Sequence, residues 1–157
     1  MTASAQLTAV SKPDIAANSI EFWRQVSGRL GLNKPVTTEF DFFQAIHQGI
    51  GLKAIDTLKK EGLLASEITL IIEPRTLSHR RSKRQHLSPD ESERAARVSR
   101  MLTLASGVFG SRDKALDWLR KPQSRFGGMA PMALLSGESG GRIVEEALIQ
   151  IDQGYFA

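Results

Sequence analysis

The sequence predicts an all-α fold, and three features indicate it. Most segments place apolar residues at the i, i+3, i+4 and i+7 spacing that forms one face of a helix. Serine, threonine or proline opens several of these segments and glycine follows several, as helix termini favour. No segment alternates apolar and polar residues for long, so the sequence predicts no strand.

Three helices are predicted in the first 62 residues. NSIEFWRQVSGRLG has Ser19 as its N-cap. Its apolar face consists of Phe22, Trp23, Val26 and Leu30. TTEFDFFQAIHQGIG begins after Thr37 or Thr38 and ends before Gly49. Its apolar stripe consists of Phe42, Phe43 and Ile46. LKAIDTLKKEG is the third helix and ends at Gly62.

Two further short helices form a candidate helix-turn-helix, because a tight break separates them. SEITLII is the first, and the second opens at Pro74, since proline fits the first helical position. Leu77 is then the inward residue of the second helix. Steps of 100° per residue turn four residues away from the core, with Lys83 near the border. These four are Arg75, Ser78, His79 and Ser82. In a helix-turn-helix, such residues near the start of the second helix reach base edges in the major groove.

The second of these helices also carries the basic character of the chain. The sequence has 21 Lys/Arg and 17 Asp/Glu, with a pI near 9.7. Five of the bases and no acid fall between Arg75 and His86, and without them acids would outnumber bases by one. A run of one sign favours an anion-docking surface, since an ordinary solvated face mixes both signs. The flanking arginines are placed on phosphates. The predicted DNA-binding residues are Arg75, Thr76, Ser78, His79, Arg80, Arg81, Ser82, Lys83 and Arg84.

The second half of the chain contains the longest predicted helix and three shorter ones. LSPDESERAARVSRMLTLASGVFG has Ser88 as N-cap, Pro89 at the first helical position and Glu91 completing a capping box. One face of this helix consists of Val98, Leu102, Ala105 and Phe109. SRDKALDWLRKP follows, with Ser111 as N-cap, and it ends before Pro122. APMALLSG is a short helical turn.

The last predicted helix is GGRIVEEALIQIDQG, which ends at Gly154. Its apolar side consists of Val144, Leu148 and Ile151. The chain then finishes with Tyr155, Phe156 and Ala157. Two aromatic residues beside a terminal carboxylate either fold back on the core or dock into a partner, where aromatic anchors carry much of the binding energy. In SRDKALDWLRKP, Trp118 and Leu119 are expected to lie in the core.

Several kinds of chemistry are disfavoured by the sequence. There is no cysteine, and the three histidines lack metal-ligand spacing, so neither a disulfide framework nor a metal site is predicted. GESGG fits the pattern of a nucleophile elbow, but that elbow needs a preceding strand, and Ser139 instead opens a helix. We therefore expect no enzymatic activity, no cofactor and no small-molecule substrate. No apolar run approaches the ~20 residues of a membrane span, and the N-terminus lacks signal-peptide features, so a cytoplasmic protein is expected.

Several spaced motifs, in order, resemble the Xre/MbcA/ParS antitoxin family. They are IEPRTLSHRR, LSPDESERAARVSRM, VFGSRDKALDWLRKP and GGMAPMALLSGESGGRIVEEALIQIDQGYFA, which together run from about Ile72 to Ala157. The resemblance implies an antitoxin with two activities. An Xre-type helix-turn-helix would dimerise on its own double-stranded operator DNA, and a C-terminal domain would bind a toxin. That toxin is usually a RES-domain protein that destroys NAD⁺, and the antitoxin blocks its active site.

The chain is expected to divide into three parts. Residues 1–18, which are mostly small and polar, are expected to be a flexible arm. The resemblance implies that residues 19–110 form the helix-turn-helix and dimerisation domain and that residues 111–157 bind the toxin. The residues expected to contact the toxin are Gly127, Gly128, Pro131, Gly154, Tyr155, Phe156 and Ala157. Three alternatives stay open: a transcription regulator without a toxin, an adaptor that never binds DNA, and an antitoxin against a toxin that ADP-ribosylates a protein.

Overall fold

The all-α prediction is confirmed by a computed structural model, which describes residues 19–155 and contains no strand among them. The predicted arm, residues 1–18, lies outside the described residues. Nine α-helices follow one another along the described chain. They are α1 (Ile20–Arg29), α2 (Glu39–His47), α3 (Lys53–Lys60), α4 (Ala65–Ile68), α5 (Pro74–Lys83), α6 (Pro89–Phe109), α7 (Arg112–Arg120), α8 (Pro131–Leu134) and α9 (Glu138–Asp152). A 3₁₀ turn, Ser124–Phe126, lies between α7 and α8.

The predicted N-caps are present because short polar side chains accept the first free amides of the helices. Ser19 accepts from the amide of Phe22, and Ser111 accepts from the amide of Lys114. Thr38 caps α2, which decides between the two predicted threonines. Ser88 forms the predicted capping box at the start of α6. These local hydrogen bonds place four helix starts where the sequence predicted them.

The long helix α6 is the centre of the fold. Its 21 residues span about 32 Å. It packs against α1, α2, α7 and α9. One hydrophobic cluster therefore runs from Phe22 in α1 to Leu148 in α9. Because α6 belongs to both ends of this cluster, the helix-turn-helix and the C-terminal helices share a core.

The predicted core is mostly confirmed. All four residues of the predicted α1 face are buried, and so are Leu119, Val144 and Leu148. Trp118 and Phe109 are partly buried and pack on each other, with ring centroids 5.5 Å apart. One residue was assigned wrongly: Phe43 of α2 is 52 % exposed. Phe42 and Ile46 already fill the inward face of this short helix. Phe43 follows Phe42 directly, so the helical rotation of 100° per residue turns it away from that face.

Two predicted helix boundaries were wrong. Within SEITLII, helix α4 ends at Ile68, and residues 69–71 form a turn that places Ile71 in the core. The last helix begins at Glu138 rather than at Gly140. A Cβ on Gly140 would lie 2.1 Å from the carbonyl oxygen of Leu134, so this glycine lets α9 pass against the end of α8. None of the described helices combines the length and apolar character that crossing a bilayer requires.

Candidate functional site

The helix-turn-helix consists of α4, the turn at residues 69–73, and α5. Leu77 is buried and fixes which face of α5 points outward, as the sequence predicted. Thr76 and Arg80 are partly exposed. The remaining predicted DNA-binding residues are exposed: Arg75, Ser78, His79, Arg81, Ser82, Lys83 and Arg84. The structure therefore gathers the predicted set on one short helix and its C-terminal end.

The five cations of this segment fall into two groups. Arg80 Nη2 donates to Oε1 of Glu91 at 3.0 Å, and the Glu91 side chain is only 8 % exposed. Arg81 Nη2 donates to Oδ1 of Asp56 on α3 at 2.7 Å. The side chains of the other three cations have no hydrogen-bond or ion-pair partner within residues 19–155. These are Arg75, Lys83 and Arg84. Two arginines that were predicted to bind phosphate are thus engaged in holding α5 against α6 and α3.

The end of α5 is shaped by Arg84. This residue has φ 52° and is the only described non-glycine residue with positive φ. Its amide donates to the carbonyl of Arg81, which ends the helix. The hydroxyl of Ser82 donates to the carbonyl of His79, so its donor is already used within α5. Arg84 therefore leaves the helix in a direction that differs from the preceding basic residues.

Arginines also fix the other parts of the helix-turn-helix. Arg94 Nε on α6 donates to the carbonyl of Ile71 in the turn at 2.9 Å. Arg120 on α7 donates two hydrogen bonds to Glu67 on α4, from Nε to Oε1 at 2.6 Å and from Nη2 to Oε2 at 2.9 Å. Burial opposes ionisation of Glu67, but the hydrogen bonds from Arg120 and from the Leu64 amide outweigh it, and its pKa lies below the usual value. Sequence analysis missed both contacts.

A second surface lies on the outer side of α9. Tyr155 is 73 % exposed, so this aromatic residue does not fold back on the core. Gly154, with φ 78°, ends the helix as predicted, and the Tyr155 amide donates to the carbonyl of Gln150, which fixes the backbone at the exit. Tyr155 and Ile149 line a hollow of about 650 Å³ together with Arg142, Glu145, Glu146, Gln150 and Gln153. The other two terminal residues, Phe156 and Ala157, lie outside the described part of the chain.

The other residues predicted to contact a toxin lie in the loop before α8. Gly127 and Gly128 are exposed and have positive φ, 65° and 83°, so they make the turn that follows Phe126. Pro131 is buried at the first position of α8. It shapes the loop and offers little surface to a partner. Sequence analysis missed the exposed apolar residues of α9, Ile143 and Ile149, which lie outside the predicted inward side.

No feature of a nucleophile elbow surrounds Ser139. It lies in the first turn of α9, which follows the short helix α8 rather than a strand. Among residues 19–155 there is no group of three or more His, Asp or Glu that could hold a metal ion. The two features of the described residues that remain are a basic helix-turn-helix and the exposed outer side of α9.

A basic helix-turn-helix is typical of a DNA-binding protein, and comparison with known families identifies both parts of the chain. Residues 41–100 match the family model described as "Antitoxin Xre-like helix-turn-helix domain". Residues 104–154 match the model described as "Antitoxin Xre/MbcA/ParS C-terminal toxin-binding domain". The protein is thus an antitoxin of a toxin–antitoxin system, with DNA and a toxin as its partners.

Curated relatives agree with this assignment. An Antitoxin Xre of Pseudomonas putida is 37 % identical over 121 residues, which cover 76 % of this chain and 76 % of the relative. An Antitoxin Xre of Yersinia enterocolitica is 29 % identical over 92 % of this chain and 97 % of its own. A protein of a Sphingobium species named "Prs ADP-ribosylating antitoxin" is 24 % identical over 73 % of this chain and 87 % of its own. The chain belongs to the Xre antitoxin family.

Proposed function

We propose that this antitoxin neutralises a RES-like, NAD⁺-degrading toxin by covering its active site, and that it represses its own operon as a dimer. The observation that carries the first part is the exposed end of α9. An aromatic side chain that is 73 % exposed and borders an apolar and charged hollow is suited to act as an interface anchor. The second part is supported by three cations on and beside α5 without partners in the described chain.

The toxin contact is tested by removing the terminal aromatic residues. We expect deletion of residues 155–157 to weaken binding of the toxin encoded by the neighbouring gene by about 30-fold or more, since an interface anchor is worth about 2 kcal/mol. Replacement of Leu64 with Ala is the matched control, because Leu64 is 54 % exposed on the other half of the chain. Calorimetry measures the affinity for the toxin, and rescue of cell growth measures its neutralisation. Unchanged rescue by the truncated chain would contradict the proposal.

Dimerisation is supported by an unpartnered aromatic strip on α2. Phe40 is 65 % exposed and stacks on Phe43, with ring centroids 6.3 Å apart, and Phe43 stacks on His47 at 5.7 Å. Exposed phenylalanines on a helix-turn-helix domain fit contact with a second copy, which would place two α5 helices on half-sites about 34 Å apart. Replacing both phenylalanines with Ser should give a monomer in light scattering. Met129→Ser, which changes an exposed residue of the C-terminal half, is the control, and a dimer that persists would rule out α2 as its interface.

A second reaction is possible for the toxin. The name of the Sphingobium relative favours a toxin that ADP-ribosylates a protein instead of consuming free NAD⁺. Expression of the neighbouring toxin without the antitoxin separates the two. A fall of cellular NAD⁺ without labelled protein supports the RES-like reaction, whereas a mass increase on one cellular protein supports the alternative.

A further inference from the structure

The contact between Arg120 and Glu67 joins the two family-defined parts of the chain. Arg120 lies within residues 104–154, which match the toxin-binding domain, and Glu67 lies within residues 41–100, which match the helix-turn-helix domain. The two side chains are 53 positions apart in sequence and form a bidentate ion pair, with the Glu67 side chain only 11 % exposed. Bidentate pairs of this kind are directional as well as strong.

Helix α7 makes two more contacts at the same place. Nη2 of Arg120 also donates to the carbonyl of Gly62, at 2.8 Å, in the turn between α3 and α4. Gly62 has φ 107°, and a Cβ at this position would lie 2.8 Å from Cδ1 of Leu116 on α7. The turn that leads into the helix-turn-helix is therefore closed on one side by the first helix of the C-terminal unit.

Helix α4 depends on this contact because it is very short. It has four residues, and a single helical turn is unstable without tertiary support. Oε2 of Glu67 accepts the amide of Leu64 at 2.8 Å, so the same carboxylate caps α4 and binds Arg120. Without the arginine, the carboxylate would keep its charge in a largely buried place or turn to solvent and give up the cap.

We propose that Arg120 is a positioning residue for operator recognition. It holds α4 in place, and α4 sets the position of the turn and of α5, which carries the unpartnered cations. The operator-reading unit of this antitoxin then extends beyond the helix-turn-helix into the toxin-binding half. This inference rests on the proposed repression of the operon.

The test compares Arg120→Met with Arg112→Met in the full chain. Arg112 lies on the same helix and forms an ion pair with the neighbouring Asp113 on the exposed side of α7. We expect Arg120→Met to weaken operator binding on the order of tenfold, the range for losing hydrogen bonds between charged groups, and to leave the affinity for toxin and for random-sequence duplex within about twofold. Arg112→Met should change none of the three. Arg120→Lys, which keeps the charge but not the bidentate geometry, should fall between.

Hydrogen exchange gives a readout that does not depend on the operator. The amides of residues 65–72 should exchange on the order of tenfold faster in Arg120→Met, while those of α9 keep their wild-type rates. A general loss of the fold would accelerate amide exchange both at residues 65–72 and in α9, and it would also weaken toxin binding. Unchanged exchange at 65–72, or unchanged discrimination between operator and random duplex, overturns the inference. A wild-type chain that never prefers the operator refutes the proposed repression instead, and the exchange result still decides the role of Arg120.

Discussion

The salt dependence of operator binding follows from which cations of α5 are free. Each phosphate neutralised by the protein contributes about −0.9 to the slope of log K against log salt concentration. If all five bases of the segment bound phosphate, two recognition helices would give a slope of about −9. The structure engages Arg80 and Arg81 with carboxylates, which leaves Arg75, Lys83 and Arg84. We therefore expect a slope of about −5 for the dimer from these residues.

Fluorescence anisotropy with an operator duplex measures this slope. The salt concentration is varied between about 50 and 200 mM, the range in which phosphate contacts change the affinity strongly. Arg84→Gln should reduce its magnitude by about 2, one phosphate for each subunit. Arg80→Gln is the matched change: it should leave the slope unaltered but lower the free energy of unfolding by about 1.5–3 kcal/mol, because the buried Glu91 carboxylate loses its arginine partner. A wild-type slope near −9, together with a loss of slope in Arg80→Gln, would show that these arginines leave their carboxylates for DNA and would refute the reasoning.

Three further expectations concern the fold. Leu148→Ala should lower the free energy of unfolding by about 2–5 kcal/mol in urea titrations, because this side chain is fully buried in the shared core. Ser88→Ala should cost about 1 kcal/mol in the same titration through loss of the α6 cap, and a cost near zero would show that Glu91 alone suffices. The pKa of Glu67 is lower in the folded chain than its ordinary 4.5. The ionised carboxylate therefore stabilises the fold above pH 4.5, and this stabilisation is lost as the pH falls through the folded pKa. Glu67→Gln should flatten the dependence of the free energy of unfolding on pH in this acidic range.

The residues that sequence analysis placed correctly are those whose roles depend on near neighbours in the chain. Ser19, Thr38 and Ser88 cap helices through amides three residues ahead, and the buried face of α1 follows the helical repeat. Phe43 was misassigned because two turns of helix offer more apolar residues than one inward face can hold, and nothing local decides among them. The aromatic end of the chain was recognisable as an unusual feature, but only the structure shows that Tyr155 is exposed and does not fold back on the core.

Helix formation and capping depend on interactions within about four residues, and the basic character of α5 depends on its own residues. The sequence alone therefore predicts all three. Which of its cations remain free is decided by ion pairs that join residues 11 and 25 positions apart, and the support of α4 by a pair 53 positions apart. Such pairs form only after the core has brought α3, α6 and α7 against the helix-turn-helix. In this antitoxin, local interactions determine where the helices form. Packing around α6 determines which cations of α5 stay unpaired and available to bind DNA.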